Sequence, residues 1–354
     1  MMTHPKYKVA IAHVAPVFLE REATVNKACS LIWEAAKHGA QLIVFPESYI
    51  PAFPVWSAVY APIHNHAFFC ALAAHSLKID GPELKTIAET ARKSEVFVSI
   101  GFNEGTSVSS GCIWNANVMI GDDGHILCHH RKIVPTFYEK LTWAPGDGGG
   151  LRVCETRLGR LGMLICGENT NPLARYTLLA QGEQVHMSTY PPVWPTHDSS
   201  NDKNYDLKHA ILLRAGAHCF EGKVFNLVAS SFLDKAARDR LAAGDAASGR
   251  ILDESPRGIS VVVGPSGTPI SEIMQDDEGI LYADVDLSQC VEPKQFHDVV
   301  GGYNRFDIFS LTVNRTAHRP ISFEPTGEPS AEPTDDASSV AEEANVSPRG
   351  DDIV

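Results

Sequence analysis

An α/β fold with two stacked sheets covered by helices is predicted by three features of the 354-residue sequence. Short apolar strands alternate with segments of helical periodicity, the pattern of layered α/β proteins. Each half contains a hairpin signal, two apolar runs around a glycine-containing turn. The strand and helix pattern of the first half also recurs in the second, so one domain with two sheets is expected.

In chain order, Tyr7 to Val14 reads as the first strand and Ala23 to His38 as a helix with Thr24 as its cap. Gln41 to Phe45 is a short strand ending at Pro46-Glu47-Ser48, and ligands of α/β proteins gather at such strand ends. Tyr49 to Phe69 is rich in proline and aromatic residues, Trp56 among them. That composition suits a wall over a pocket, an interface or plain core equally well. A helix from Pro82 to Lys93 and a strand from Val96 to Gly101 follow. Ile113 to Ile120 and His125 to Ile133 form the first hairpin, with Lys132 near its far end. The glycine cluster from Gly146 to Gly150 lacks the Gly-Lys-Ser/Thr ending of a phosphate loop.

The stretch from Leu158 to Arg175 places Cys166 where an apolar strand gives way to a helix, with Thr170 or Asn171 as the cap and Pro172 in the first turn. A thiol on a rigid strand end beside backbone N–H groups is well placed for a nucleophile. Free cysteine is also among the most buried residues, so the stretch alone leaves a core role open. Beyond it, Pro172 to Gln181 reads as helix, Gln184 to Ser188 as strand, Lys203 to Glu221 as a long helix and Lys223 to Ser230 as strand. Asp234 to Gly249 is rich in small and charged residues and reads as a mobile segment. Ile259 to Val263 and Pro269 to Met274 make the second hairpin, followed by a strand from Ile280 to Val285.

The net charge of −13 argues against non-specific nucleic-acid binding. From Ile321 to Val354 there are nine acids against Arg349 alone, so −8 lies there and −5 in the first 320 residues. Residues 1–319 are expected to form the folded domain, and residues 320–354 an acidic tail too poor in large apolar residues to offset its ordering entropy. No apolar run approaches the roughly 20 residues of a membrane span. The N-terminal segment lacks the apolar core of a secretory signal, so a cytoplasmic location is expected. The eight cysteines show no Cys-x-x-Cys pair, and adjacent His129 and His130 would point to opposite faces of a strand, so neither a disulfide framework nor a metal centre is expected.

Phe45-Pro-Glu47, Arg131-Lys132 and Cys166-Gly-Glu168 each fall at a predicted strand end. A thiol, a carboxylate and a cation in one pocket divide the labour of covalent catalysis: Cys166 attacks, Glu47 takes the proton, and Lys132 stabilises the charge that develops. Taken singly, each residue has a duller role, as a turn cap, a solvated cation or core. The order and surroundings of Phe-Pro-Glu47, Arg-Lys132-Ile-x-Pro-Thr and Gly-Arg-Leu-Gly-x-Leu-Ile-Cys166-Gly-Glu resemble the nitrilase branch of the carbon–nitrogen hydrolase superfamily. The resemblance continues through Asn171-Pro-Leu-Ala-Arg175, Gly-Glu183-Gln-Val-His186 and Gly302 to Asn314, covering about residues 7 to 315.

The resemblance implies a four-layer α-β-β-α sandwich that hydrolyses a nitrile to a carboxylic acid and ammonia without metal or organic cofactor. It gives the triad roles to Glu47, Lys132 and Cys166, and an assisting role to Glu139. Glu168 suits the nitrilase branch, since amidase and carbamoylase branches more often carry aspartate there. An amide or carbamoyl hydrolase with the same triad is the alternative. A non-catalytic assembly protein is disfavoured by the intact triad positions. Family members form dimers that extend into spirals, so a homodimer building into a spiral filament is expected. The departure is Gly167, where nitrilases commonly carry tryptophan. Unless another side chain fills the gap, a roomier cavity is expected there, with Trp56, Tyr190 and Trp194 as candidate walls, suited to bulky or aryl nitriles.

Overall fold

The computed structural model describes residues 4–198, 204–243 and 245–318; the predicted acidic tail lies outside the described residues. Its strands are β1 (Lys6–His13), β2 (Ala40–Val44), β3 (Phe97–Gly105), β4 (Ile113–Ile120), β5 (Ile126–Arg131), β6 (Cys154–Thr156), β7 (Gly159–Ile165), β8 (Val185–Tyr190), β9 (Phe225–Ser230), β10 (Val261–Val263) and β11 (Gly279–Asp286). The helices are α1 (Arg21–Lys37), α2 (Trp56–Val59), α3 (His66–His75), α4 (Pro82–Ser94), α5 (Pro172–Leu179), α6 (Leu207–Gly222), α7 (Lys235–Leu241) and α8 (Ala246–Glu254).

Two sheets form, a six-stranded one in the order β11-β1-β2-β3-β4-β5 and a five-stranded one in the order β10-β9-β8-β7-β6. Strands β1, β2 and β3 are parallel neighbours, as are β7, β8 and β9, with antiparallel strands toward the edges. The period of two along each strand decides what lies on either side. Val9, Ile11, Leu42 and Val44 point inward and meet Leu161, Met163, Val185 and Met187 of the second sheet. Ala10, Ala12, Ile43 and Phe45 point outward and are covered by Ile32 of α1 and Ile87 of α4. On the far side, Ile165, Tyr190 and Val228 lie under Leu207, Ile211 and Ala215 of α6. The result is the four-layer α-β-β-α sandwich, in which β2, β5 and β7 end close to one another at the seam between the sheets.

Four local expectations change. Thr24 lies inside α1, where its hydroxyl donates to Glu20 O, one turn earlier. Helix α6 begins at Leu207, because Asp206 caps it by accepting from His209 N; residues 199–203 are outside the described set. The segment read as mobile forms α7 and α8, capped by Asp234 and Asp245, which accept from Ala237 N and Ala247 N. Its small residues Ala237, Ser248 and Gly249 are buried, so low side-chain bulk there reflects close helix packing. Finally, the second hairpin reduces to the bridges Val263↔Pro269 and Ser260↔Met274 without a regular strand between them, in keeping with Pro269, which lacks an N–H to donate. Among the described residues no helix is long and apolar enough to cross a membrane.

Candidate active site

Glu47 follows β2, Lys132 follows β5 and Cys166 follows β7, so three strand ends from both sheets deliver the three groups to one point. Lys132 Nζ donates to Glu47 Oε1 at 2.8 Å and to Glu139 Oε1 and Oε2 at 2.9 and 2.7 Å, with all three side chains fully buried. Cys166 Sγ lies within 4.8 Å of a carboxylate oxygen of both Glu47 and Glu139. Asn115 Nδ2 donates to Glu47 Oε1 at 2.7 Å, whereas Glu47 Oε2 is buried without a hydrogen-bond partner. Glu139 is held by its own turn, in which its Oε2 accepts from Thr136 N at 2.5 Å.

Burial pushes the Glu47 carboxyl up to about 7, with Glu139 adding to the rise and Lys132 opposing it. Burial likewise raises the Glu139 carboxyl against the pull of Lys132. For Lys132, burial works against the charge, but Glu139, Glu47 and Cys166 outweigh it and hold the ammonium above the ordinary lysine range. The Cys166 thiol is pushed well up, by burial first and by Glu47 next, while Lys132 and Arg214 pull the other way. The site therefore holds a fixed cation, a protonated thiol and a carboxylate with one free basic oxygen. Glu47, Glu139 and Cys166 also have the composition of a metal site, but the Lys132 ammonium takes the place between the two carboxylates that a cation would hold.

The backbone around these groups is unusual. Ser48, Phe137 and Cys166 all have φ of +50°, in the left-handed region that side chains disfavour. Each lies within two residues of a site side chain or is one, and such strain persists only where surrounding contacts over-determine it. One such contact set belongs to Glu168. Its Oε1 accepts from Ile133 N at 2.6 Å, and its Oε2 accepts from Ile165 N and His130 Nε2, both at 2.8 Å. One buried carboxylate thus ties the residue after Lys132 to the residue before Cys166. Burial opposes its charge, but His130 and the two backbone N–H groups keep its carboxyl below the usual range. His129, on the opposite face of β5 as the alternation requires, pairs instead with Glu104.

A cavity of about 430 Å³ opens onto Cys166 and Gly167, walled by Phe137, Trp194, Tyr205 and Leu207, with Thr136 and Arg214 as polar lining. Trp194 lines this cavity, whereas Trp56 and Tyr190 are not among its lining residues. Trp56 is fully buried in the core, stacked on Phe68 at 5.3 Å. Tyr190, also fully buried, lies at the end of β8 under α6. Large aromatic rings bury more area inside the core than on a wall, which is where these two go. A Cβ at Gly167, which lines the cavity, would stand 2.5 Å from Thr136 Oγ1, so Thr136 occupies part of the room beside it. Sequence reasoning missed Asn115, Phe137, Tyr205 and Arg214. Asn115 had a signal, as a polar residue inside the apolar run of β4. Arg214 had none, since a cation on a helix face usually meets water.

The carbon-nitrogen hydrolase family profile matches residues 8–295, and the chain belongs to that family. An arylacetonitrilase of Aspergillus kawachii is 34% identical over 316 residues, 89% of this chain and 94% of that protein. A nitrilase of Penicillium rubens is 33% identical over 329 residues, 91% and 98% of the two chains. Within the family the chain therefore stands with the nitrilases. Among solved structures, a carbon-nitrogen hydrolase from Helicobacter pylori matches with a TM-score of 0.65 at 21% identity, covering 86% of this chain and 97% of that one. A Saccharomyces cerevisiae member of branch 10 of the nitrilase superfamily matches with a TM-score of 0.63 at 18% identity, covering 82% and 94%. These two share the fold.

Replacing Glu168 with glutamine leaves one acceptor oxygen for three donors. The change is expected to lower stability by about 1–3 kcal/mol and to reduce turnover, because both neighbours of the seam lose their anchor. Thermal unfolding and initial rates measured together check this; a variant unchanged in both would remove Glu168 as the tie.

Proposed function

We propose that this protein is a nitrilase that converts an organic nitrile to a carboxylic acid and ammonia through a cysteine-bound intermediate. The observation that carries the reading is the buried Glu47, with Oε2 free, Oε1 held by Lys132 and Asn115, and Cys166 beside it at the base of a cavity. Glu47 Oε2 takes the thiol proton as sulfur bonds to the nitrile carbon, and that proton is passed on to the nitrile nitrogen to give a thioimidate and free the carboxylate again. Water adds to the C=N bond, and the tetrahedral species expels ammonia to leave a thioester. A second water, deprotonated by Glu47, attacks the thioester and releases the acid and the thiol. Lys132 donates to the atom on which charge develops, and Glu139 keeps that ammonium aimed and charged. No step requires a metal or organic cofactor.

The aromatic wall supports an aryl-bearing substrate, in line with the arylacetonitrilase relatives. A homodimer that extends to higher assemblies is supported by exposed apolar residues on α5 and α6, Leu173, Leu213 and Phe220, and by Tyr303, Phe306, Ile308 and Phe309 of the C-terminal segment. A cytoplasmic location completes the reading.

Cys166→Ala and Lys132→Ala are each expected to abolish acid and ammonia release while the circular dichroism spectrum stays that of the parent. Activity within about tenfold of the parent in either variant would sink the assignment.

The base must be ionised to accept the thiol proton. With its carboxyl at about 7, Glu47 is increasingly protonated as pH falls below that value, so kcat/KM is expected to drop by about tenfold per pH unit on the acid side. A rate profile flat between about pH 5 and 8 would exclude Glu47 from that role.

Trp194→Ala is expected to lower the ratio of kcat/KM for phenylacetonitrile to that for propionitrile by about tenfold, because the ring loses its stacking surface. An unchanged ratio would place the aryl wall elsewhere.

A further inference from the structure

Next to the nucleophile's turn, outside the residues that line the cavity, lies a second buried polar cluster that the proposed chemistry does not use. Glu183 precedes β8, His186 is on β8, His218 is on α6 and Asn169 lies in the turn after Cys166; all four side chains are buried. His186 points outward from the second sheet because Val185 and Met187 take the inward positions. Its ring meets that of His218, with centroids 4.1 Å apart. A Cβ on Gly162 of β7 would collide with the Glu183 carboxylate, so the strand that carries Cys166 is shaped to admit that group.

The hydrogen bonds fix where the protons are. Asn169 Nδ2 reaches Leu164 O at 3.3 Å and Cys166 O at 3.0 Å. Carbonyl oxygens only accept, so the amide nitrogen must face them and Asn169 Oδ1 must face His186. His186 Nε2, 2.8 Å from that oxygen, therefore carries a proton and donates it. His186 Nδ1 lies 2.7 Å from Glu183 Oε1, and His218 Nε2 lies 2.8 Å from Glu183 Oε2. With the Glu183 carboxyl at about 2, held there by the two imidazoles against burial, both rings donate to it. His218, whose Nδ1 has no partner, is neutral; burial and the neighbouring His186 lower it to about 4. The three residues also have a metal-binding composition, yet each of their facing atoms is already engaged with another of the set or with Asn169.

The geometry points to Glu183, His186 and Asn169 as positioning residues for Cys166: a buried relay that ends on the nucleophile's own carbonyl and holds its left-handed backbone. The φ of +50° at Cys166 is disfavoured for a residue with a side chain and needs contacts that permit no relaxation. Glu168 supplies one on the N-terminal side, through Ile165 N. Asn169 supplies the other through Cys166 O, and His186 and Glu183 prevent the Asn169 amide from rotating away. Unlike Glu168, this relay is built entirely from the second sheet and the helices over it, so it fixes the thiol relative to its own layer.

Asn169→Asp is the discriminating variant. The carboxylate still accepts from His186 but has no N–H for the two carbonyls, so the cluster survives and only its link to Cys166 is cut. Asn169→Leu cuts both. In each, kcat per folded molecule is expected to fall by about tenfold to a hundredfold with KM within about threefold. The second-order rate of Cys166 alkylation by iodoacetamide should fall in parallel. The relay is argued for the nitrile-hydrolysing site proposed above, but the alkylation rate reads the thiol directly, so a protein that turns over no nitrile still tests it. A folded Asn169→Asp protein with parental kcat and alkylation rate overturns the proposal. So does a loss of rate that merely tracks the folded fraction, or failure of both variants to fold, which would make the cluster a folding element alone.

Discussion

Lys132 carries a full charge on a fully buried side chain, and the rest of the site follows from that constraint. Taking an ammonium out of water costs several kcal/mol even after relaxation, and the cost is offset only by close, well-oriented partners. Glu139 and Glu47 are those partners, at 2.7–2.9 Å, and they in turn are buried carboxylates that need donors. Asn115 and the Thr136 N–H meet that need. Burial keeps the Glu47 carboxyl near neutrality, with Lys132 opposing the rise and Glu139 adding to it, and leaves its second oxygen to spare.

The layer order was legible because the two periodicities are clean. The alternation of Val9 and Ile11 against Ala10 and Ala12 assigns each residue to one of two cores, and the short apolar runs of β7, β8 and β9 read as buried parallel strands. Legibility failed where composition and structure part company. Ala, Gly, Ser and Asp between Asp234 and Gly249 resemble a loop by content, but two aspartate caps and close packing make them helical. Pro269 opens a segment that the apolar pattern reads as a strand but that pairs only through isolated bridges.

The groups at the base of the site were legible for a different reason. A carboxylate, a lysine and a cysteine each fall at a strand end, and the motifs around them are specific. The aromatic wall was not. Trp56, Tyr190 and Trp194 look alike in sequence, and only packing distinguishes the ring that lines the cavity from the two that fill the core. Thr136, which stands against Gly167, comes from a turn 31 residues earlier, a tertiary contact that no local pattern encodes. Arg214 and Asn115 reach the site from α6 and β4 by the same kind of long-range closure.

The separation between the base and the mouth of the cavity has an evolutionary consequence. Glu47, Lys132 and Cys166 are set by strand ends and by ties such as Glu168, which tolerate little change. Trp194, Tyr205 and Leu207 come from the connection after β8 and the first turn of α6, and none of them bonds to Lys132 or Glu168. Substrate preference can therefore drift by substitution at the rim without passing through inactive ancestors. Relatives bearing the names arylacetonitrilase and aliphatic nitrilase, about equally distant from this chain at 34% and 29% identity, are the kind of divergence such an arrangement permits.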